Sequence, residues 1–387
     1  MALTDIGNDP AQALIVEANE LAAKAERLDI EKVDGRTWDK VASEFDQIAQ
    51  EQLFSFAHSR WPGVDLEPVL FREKGEVVGG TMMMVQPLPL KLADIAVCKW
   101  GPVLKDVKSA DKARVYASMV RTLVDEYADR RGMMLSVLPK AVPAPRNFMV
   151  EVLEKQGFAR GSGLLFPSRY IVNLRLDDEA QKRSFAQKWR YHLNKSLKAD
   201  LTFEHGDATR LREFDALYQA MSDRKRFADH SAYDTITTLF ETDIDAVTPE
   251  LFFVREGGEV IAGAIIFKAG DTAVYLYGAT VDRALPLRAG YFLHWHIIRW
   301  LRDNTRATWY DLGGTDGFQG LHQFKKGMVG TAGHIEPVPP VMNYASHFRA
   351  QVVGNLAYWA RDSLQKVRHQ IEKYRSDLAT PDQSRDQ

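Results

Sequence analysis

The stretch Phe71-Arg-Glu-Lys-Gly-Glu-Val-Val-Gly-Gly80 returns later in the chain as Val254-Arg-Glu-Gly-Gly-Glu-Val-Ile-Ala-Gly263. Six positions match at a fixed offset of 183: Arg72/Arg255, Glu73/Glu256, Gly75/Gly258, Glu76/Glu259, Val77/Val260 and Gly80/Gly263. The first copy reads as two antiparallel strands around a turn at Lys74-Gly75. The segments beyond the two copies are parallel in outline. A further strand ends at Trp100-Gly101 in one half and at Tyr277-Gly278 in the other. Each half then has a long helix, a buried strand (Leu135–Leu138; Trp309–Leu312), a shorter helix and a glycine-terminated end. Glu-x-Gly-Glu-Val is a common turn sequence, but the shared element order makes duplication the better account. Strand, strand, strand, helix, strand, helix implies a mixed α/β sheet in each half.

Working outward, the boundary between halves falls near Gly161–Pro167. This gives an N-terminal helical extension over 1–30, a first domain over 31–165, a second over 166–335, and a C-terminal segment over 336–387. Residues 11–58 read as helical, with Trp38, Val41, Ala42, Phe45, Ile48, Ala49, Leu53 and Phe56 on one face. A long amphipathic helix is expected from Tyr344 to Tyr374. Its stripe is Phe348, Val352, Leu356, Trp359, Leu364, Val367 and Ile371. Docking of that stripe on the first domain outweighs membrane contact, because the polar face is mixed in charge rather than basic. The last residues are polar and read as disordered.

Composition bounds the rest. The 387 residues carry 50 Lys+Arg against 52 Asp+Glu, with 45% hydrophobic and 26% charged residues. There is enough apolar matter for cores, which excludes a disordered chain, and the balanced charge excludes a histone-like binder while leaving room for a local basic groove. The single cysteine, Cys98, excludes intramolecular disulfides and cysteine-rich zinc modules, and it reads as a buried small hydrophobe. No stretch is apolar enough to span a bilayer, and the N-terminus has no signal-peptide pattern. The expected location is cytoplasmic.

Phosphate loop, dinucleotide and His-Glu-x-x-His signatures are absent, and His294 and His296 diverge on a helix, so no metal site is expected. Residues 182–198 form the strongest electrostatic feature: Lys182, Arg183, Lys188, Arg190, Lys195 and Lys198 with Trp189 and Tyr191 interleaved. This reads equally as a phosphate-binding surface and as a solvated face. Arg224-Lys225-Arg226 is a second cluster near a helix end, where cations also satisfy the macrodipole. The most distinctive segment is Tyr310-Asp-Leu-Gly-Gly314 followed by Phe324-Lys-Lys326. Gly313 and Gly314 permit close backbone approach to a ligand, and strand ends of α/β sheets are common ligand sites. Asp311 is a possible proton acceptor, although capping the strand-end turn is its simpler role.

With these residues in hand, the second half resembles the Fem family of aminoacyltransferases (FemA, FemB and FemX). The carrying stretches are Leu293–Trp300, Tyr310–Gly314 and Gly320-Leu-His-Gln-Phe-Lys-Lys-Gly-Met-Val-Gly330, with a looser likeness at Trp189–Lys195. The last of these is similar to the family ending Gly-Leu-Tyr-x-Phe-Lys-x-Gly-Phe-Gly, with His322 and Met328 at its Tyr and Phe. The resemblance implies an α/β (α+β) fold of two tandem GNAT-like domains, resembling the GCN5-related N-acetyltransferases, whose chain returns to the first domain at its C-terminus. It implies transfer of an amino acid from aminoacyl-tRNA to an amine of UDP-MurNAc-pentapeptide or lipid II, without a metal or bound cofactor. That activity belongs to peptidoglycan biosynthesis, cell-wall biogenesis and cell shape, with peripheral contact at the cytoplasmic membrane face and no DNA partner. Phe324 and Lys325 match the pair lining the family's reaction channel, and Arg190 matches a phosphate-binding arginine. Lys195, Arg224, Lys326, Tyr310, Gly313 and Gly314 complete the expected binding residues. The long helical-hairpin arm of the FemA type is missing.

In acyl transfer the attacking amine must be neutral, and Lys325 is placed to stabilise the oxyanion. Two other readings compete. One is an acyl-CoA-dependent N-acyltransferase acting on a polysaccharide or lipid amine; Arg283–Tyr291 does not fit the usual CoA-pyrophosphate signature. The other is a non-catalytic module that binds a phosphorylated cell-wall intermediate through 182–198.

Overall fold

A computed structural model describes residues 25–88, 92–225 and 233–379. Among them are two mixed sheets. The first runs β1 (Asp29–Lys32), β2 (Asp65–Glu73), β3 (Glu76–Pro87), β4 (Asp94–Lys99), then β6 (Met134–Leu138), with β5 (Val103–Leu104) paired to β3. Its far edge is β7 (Ala159–Arg160), separated from β6 by β15 (Met342–Tyr344). The second contains β8 (Ser168–Asn173), β9 (Thr202–Gly206), β10 (Glu250–Glu256), β11 (Glu259–Phe267), β12 (Thr272–Thr280), β13 (Trp309–Asp311) and β14 (His334–Pro337). Its order is β14-β8-β13-β12-β11-β10-β9.

The repeat seen in sequence is a repeat of geometry. The β2/β3 hairpin has a register break between Phe71 and Arg72, and β10/β11 has one between Val254 and Arg255. Arg72 donates to the Gly75 carbonyl at 2.9 Å, and Arg255 donates to the Gly258 carbonyl at 2.7 Å. Each arginine also pairs with a glutamate on the neighbouring edge strand, Glu31 on β1 and Glu204 on β9. A left-handed backbone at Gly75 (φ 87°) and Gly258 (φ 88°) closes both turns, which explains why glycine recurs there. The two parallel pairings, β4 with β6 and β12 with β13, occupy equivalent places.

The halves are not separate in space, because the first sheet is completed by a strand from beyond the second. β8 inserts between β13 and β14, and β15, near the other end of the chain, inserts between β6 and β7. A third apolar cluster lies between the sheets and draws from both: Trp38, Phe45, Leu53 and Leu70 pack with Phe214, Phe253, Ile265 and Phe267. The Arg306 guanidinium donates to the carbonyls of Ser43, Glu44 and Phe45, and the Asp271 amide donates to the Asp46 carbonyl at 2.7 Å. At Gly270 (φ 84°) an added Cβ would lie 2.6 Å from that same carbonyl. Gly270→Ala therefore combines a disfavoured backbone with a backbone clash and should cost about 2–4 kcal/mol. The urea midpoint of the variant checks this.

Two readings of helical structure are corrected. Residues 11–58 do not form one helical region. Residues 1–24, most of the expected extension, lie outside the described residues. β1 then precedes short helices at Gly35–Ala42 and Phe54–Arg60. The Asp34 side chain caps the first helix, and Asp39 accepts the amides of Phe54 (2.6 Å) and Ser55 (3.0 Å), folding the chain back. Phe45, Ile48 and Leu53 are buried all the same, in irregular backbone. The C-terminal helix, Phe348–Ala379, does pack on β4 and β6, but through Ala350, Gly354 and Tyr358. Gly354 makes the approach close, since a Cβ there would sit 2.2 Å from the Met134 sulfur. The stripe expected to dock faces outward instead: Phe348, Val352, Leu356, Trp359, Leu364 and Val367 are all exposed. Small residues allow closer helix–sheet approach than a row of Phe, Leu and Trp does, and shape decided the docking face over hydrophobicity. The Ile371 side chain and the tail at 380–387 lie outside the described residues.

Candidate active site

The second sheet delivers its parallel strand β13 to the seam between domains, and the chain leaves it as Leu312-Gly-Gly314. Asp311 at the strand end is held by Arg169 of β8, whose Nε and Nη2 lie 2.8–3.1 Å from the carboxylate oxygens. The same carboxylate accepts the Gly313 amide at 2.8 Å, which fixes the loop with Gly313 at φ 76°. Asp311 is thus an anchor with its lone pairs engaged, and it is not placed as a free base.

Helix Gln319–Val329 brings Lys325 onto this loop. Its ammonium donates to the Leu312 carbonyl at 2.5 Å and to the Gly314 carbonyl at 2.6 Å. The residue is 5% exposed. Burial, then the positive charge of Arg169, lowers its pKa to about 8, against the pull of Asp311 and Asp316. An ammonium has three N–H donors, so two bonds to carbonyls leave one for a ligand. Phe324, one residue earlier, enters an aromatic cluster with Trp189, Tyr291 and His294, at centroid distances of 4.9–6.2 Å. Two buried polar atoms in this neighbourhood, Trp189 Nε1 and His192 Nδ1, have no hydrogen-bond partner.

The other expected residues divide. Tyr310 is fully buried, and its hydroxyl meets His294 Nδ1 at 3.1 Å. Burial and the charge of Lys325 lower the His294 pKa to about 3, so its ring is neutral. Gly314 stands at Lys325, whereas Lys326 is exposed on the far side of the helix. Arg190 turns back to donate to the carbonyls of Arg183 and Phe185, at 2.9 and 2.5 Å, tying together two consecutive helices. Lys188, Lys195 and Lys198 are exposed while Trp189 and Leu193 are buried, so the basic run is the outer face of an amphipathic helix. Arg224 lies in helix Leu211–Lys225, and its side chain is outside the described residues. Cys98 is fully buried, and desolvation pushes its thiol up to about 12, as suits an inert packing residue.

Three cations at the seam were not singled out from the sequence. Lys99 ends β4, Lys140 follows β6, and Arg169 opens β8. Lys99 lies over the Trp61 ring at 4.7 Å and 4.0 Å from Glu51. Its side chain remains 28% accessible. Lys140 donates to the Gln47 carbonyl at 3.2 Å and feels Asp271, Asp311 and Glu51. Burial lowers the pKa of both lysines. The only local signal would have been a cation placed directly after an apolar strand run, as in Val97-Cys98-Lys99 and Val137-Leu138-Pro139-Lys140.

This architecture is the tandem GNAT-like fold of Fem-type proteins. Residues 183–326 match the family model described as Acetyltransferase (GNAT) domain. Among solved structures the chain is similar to FemX, with TM-score 0.68 and 16% identity over 86% of this chain and 100% of that one. It is also similar to L-PGS from Bacillus licheniformis (TM-score 0.53, 13% identity, 85% and 97% covered). A third likeness is to the C-terminal domain of a putative lysylphosphatidylglycerol synthetase from Agrobacterium fabrum (TM-score 0.51, 13% identity, 88% and 96% covered). No curated protein sequence matches.

Proposed function

We propose that this chain is a non-ribosomal aminoacyltransferase that moves an amino acid from aminoacyl-tRNA to an amine of a peptidoglycan precursor, UDP-MurNAc-pentapeptide or lipid II, at the cytoplasmic face. The observation that carries the reading is the Lys325 ammonium, held by two backbone carbonyls at the end of β13 with one donor to spare. The FemX likeness and the match of the Phe324-Lys325 pair support it. The neutral acceptor amine attacks the ester carbonyl, the C–N bond forms, and the C–O bond to the ribose breaks, the proton shed by the amine passing to the departing ribose oxygen, which leaves as the hydroxyl. The spare N–H of Lys325 stabilises the oxyanion between those events. The ester is already activated, so positioning supplies much of the rate. Lys99, Lys140 and Arg169 provide a positive field suited to a phosphorylated acceptor. An acyl-CoA donor is the second reading, favoured by the acetyltransferase description of the matching family model. Incubation with charged tRNA and UDP-MurNAc-pentapeptide, beside acetyl-CoA and the same acceptor, tests both. Product in the tRNA arm alone sustains the proposal, and product in the acetyl-CoA arm alone replaces it.

The pH profile separates two roles for Lys325. A free acceptor amine has a pKa of about 10.4, so its reactive fraction rises tenfold per pH unit. If Lys325 must be protonated, that gain is cancelled once the pH passes its pKa of about 8. The expected profile of log kcat/KM rises with unit slope and levels off near pH 8. In Lys325→Arg, where the charge persists, the rise continues. A slope approaching two below pH 8 would mean that Lys325 acts as the base.

A further inference from the structure

We infer that the outward stripe of the C-terminal helix is a docking face for an anionic phospholipid surface. Phe348, Val352, Leu356, Trp359, Leu364 and Val367 are 47–80% exposed along one side of Phe348–Ala379. Among the described residues nothing covers them, because the helix is already seated by its opposite side, with Gly354 against Met134. At about 100° per residue the stripe spans about 160° of the helix, wider than a coiled-coil seam. Lys366 stands about five turns on from Phe348, on the stripe itself, and is exposed. A dry seam with a second copy would desolvate that ammonium, whereas at a headgroup layer it meets phosphate.

Charge complementarity points the same way. Residues 348–379 hold six Lys/Arg against three Asp/Glu, while the whole chain holds 50 against 52. The helix therefore carries a net excess of three positive charges, in a chain that is otherwise acidic. Leu164, Leu165 and Phe318 are exposed as well. The linker carrying Leu164 is tied to the helix through Ser162 and Asp362, and Phe166 packs on Gly317, just beyond the Gly313-Gly314 loop. Among the described residues no helix is long and apolar enough to cross a membrane, so the contact is one of lying on the surface.

The test is flotation of the full chain with vesicles of phosphatidylcholine alone and of phosphatidylcholine with about one-third phosphatidylglycerol. The native chain should float with the anionic vesicles, and raised salt should weaken this. The double variant Leu356→Ser/Trp359→Ser should lower the bound fraction at least about tenfold with unchanged thermal melting, since both side chains are exposed. Three results would overturn the inference: no flotation of the native chain, flotation that survives the double variant, or equal binding to neutral vesicles. A concentration-dependent dimer that the double variant abolishes, without vesicle binding, would assign the stripe to a second copy instead. The readout needs no turnover, so it stands or falls apart from the acyltransfer reading.

Discussion

Lys325→Met is expected to lower kcat/KM by about 10²–10³-fold while leaving the fold intact, because in the proposed mechanism it removes the ammonium that stabilises the developing oxyanion. Methionine nearly matches the length of the aliphatic stem, so helix Gln319–Val329 should keep its seat. Stability should change little at pH 7, because two effects oppose. The folded pKa is about 8, against an ordinary value of 10.5. The unfolded chain therefore holds that proton more tightly, and burying the ammonium penalises folding at all pH values below about 8. This penalty fades as the pH rises toward the unfolded value. Removing the charge relieves the penalty but strands the carbonyls of Leu312 and Gly314, so the two effects oppose. Rate measurements paired with a urea melt check both halves of the expectation. Wild-type turnover in the variant would remove Lys325 from the mechanism, and a lower melt would show that the carbonyl bonds dominate.

The second large effect is on stability, from Arg169→Met. Asp311 would keep its carboxylate, 13% exposed, with the Gly313 amide as its remaining partner. Breaking one side of a largely buried pair should cost about 3 kcal/mol, most of it the cost of the orphaned charge. Adding Asp311→Asn to the same chain discharges that group and retains an acceptor for the Gly313 amide. The double variant should recover at least half of the lost stability, read as the urea midpoint. Activity should stay low, since the seam has lost a cation. If the single and double variants melt alike, the pair contributes through packing rather than charge.

Both experiments turn on residues that the sequence exposed unequally. Lys325 and Phe324 were legible because a short motif sits at the end of a buried strand. Arg169 was not, because its importance comes from a partner 142 positions away. Arg190 shows the reverse case. It stood in a conspicuous basic run, but its guanidinium is directed at two backbone carbonyls, and local charge density does not report where a flexible side chain turns.

The sequence by itself determined the duplicated α/β unit, the hairpin turns, the glycine loop after β13 and the lysine beside it. These are local matters, set by periodicity, left-handed glycines and short motifs. Only the tertiary structure decided that β8 inserts between β13 and β14, that β15 completes the first sheet from the far end of the chain, that Lys99, Lys140 and Arg169 converge at the seam, and that the C-terminal helix docks by Ala350 and Gly354 with its apolar stripe outward. Strand pairing between distant segments, convergence of charges and the choice of docking face depend on shape complementarity between surfaces, which exist only once the chain has folded.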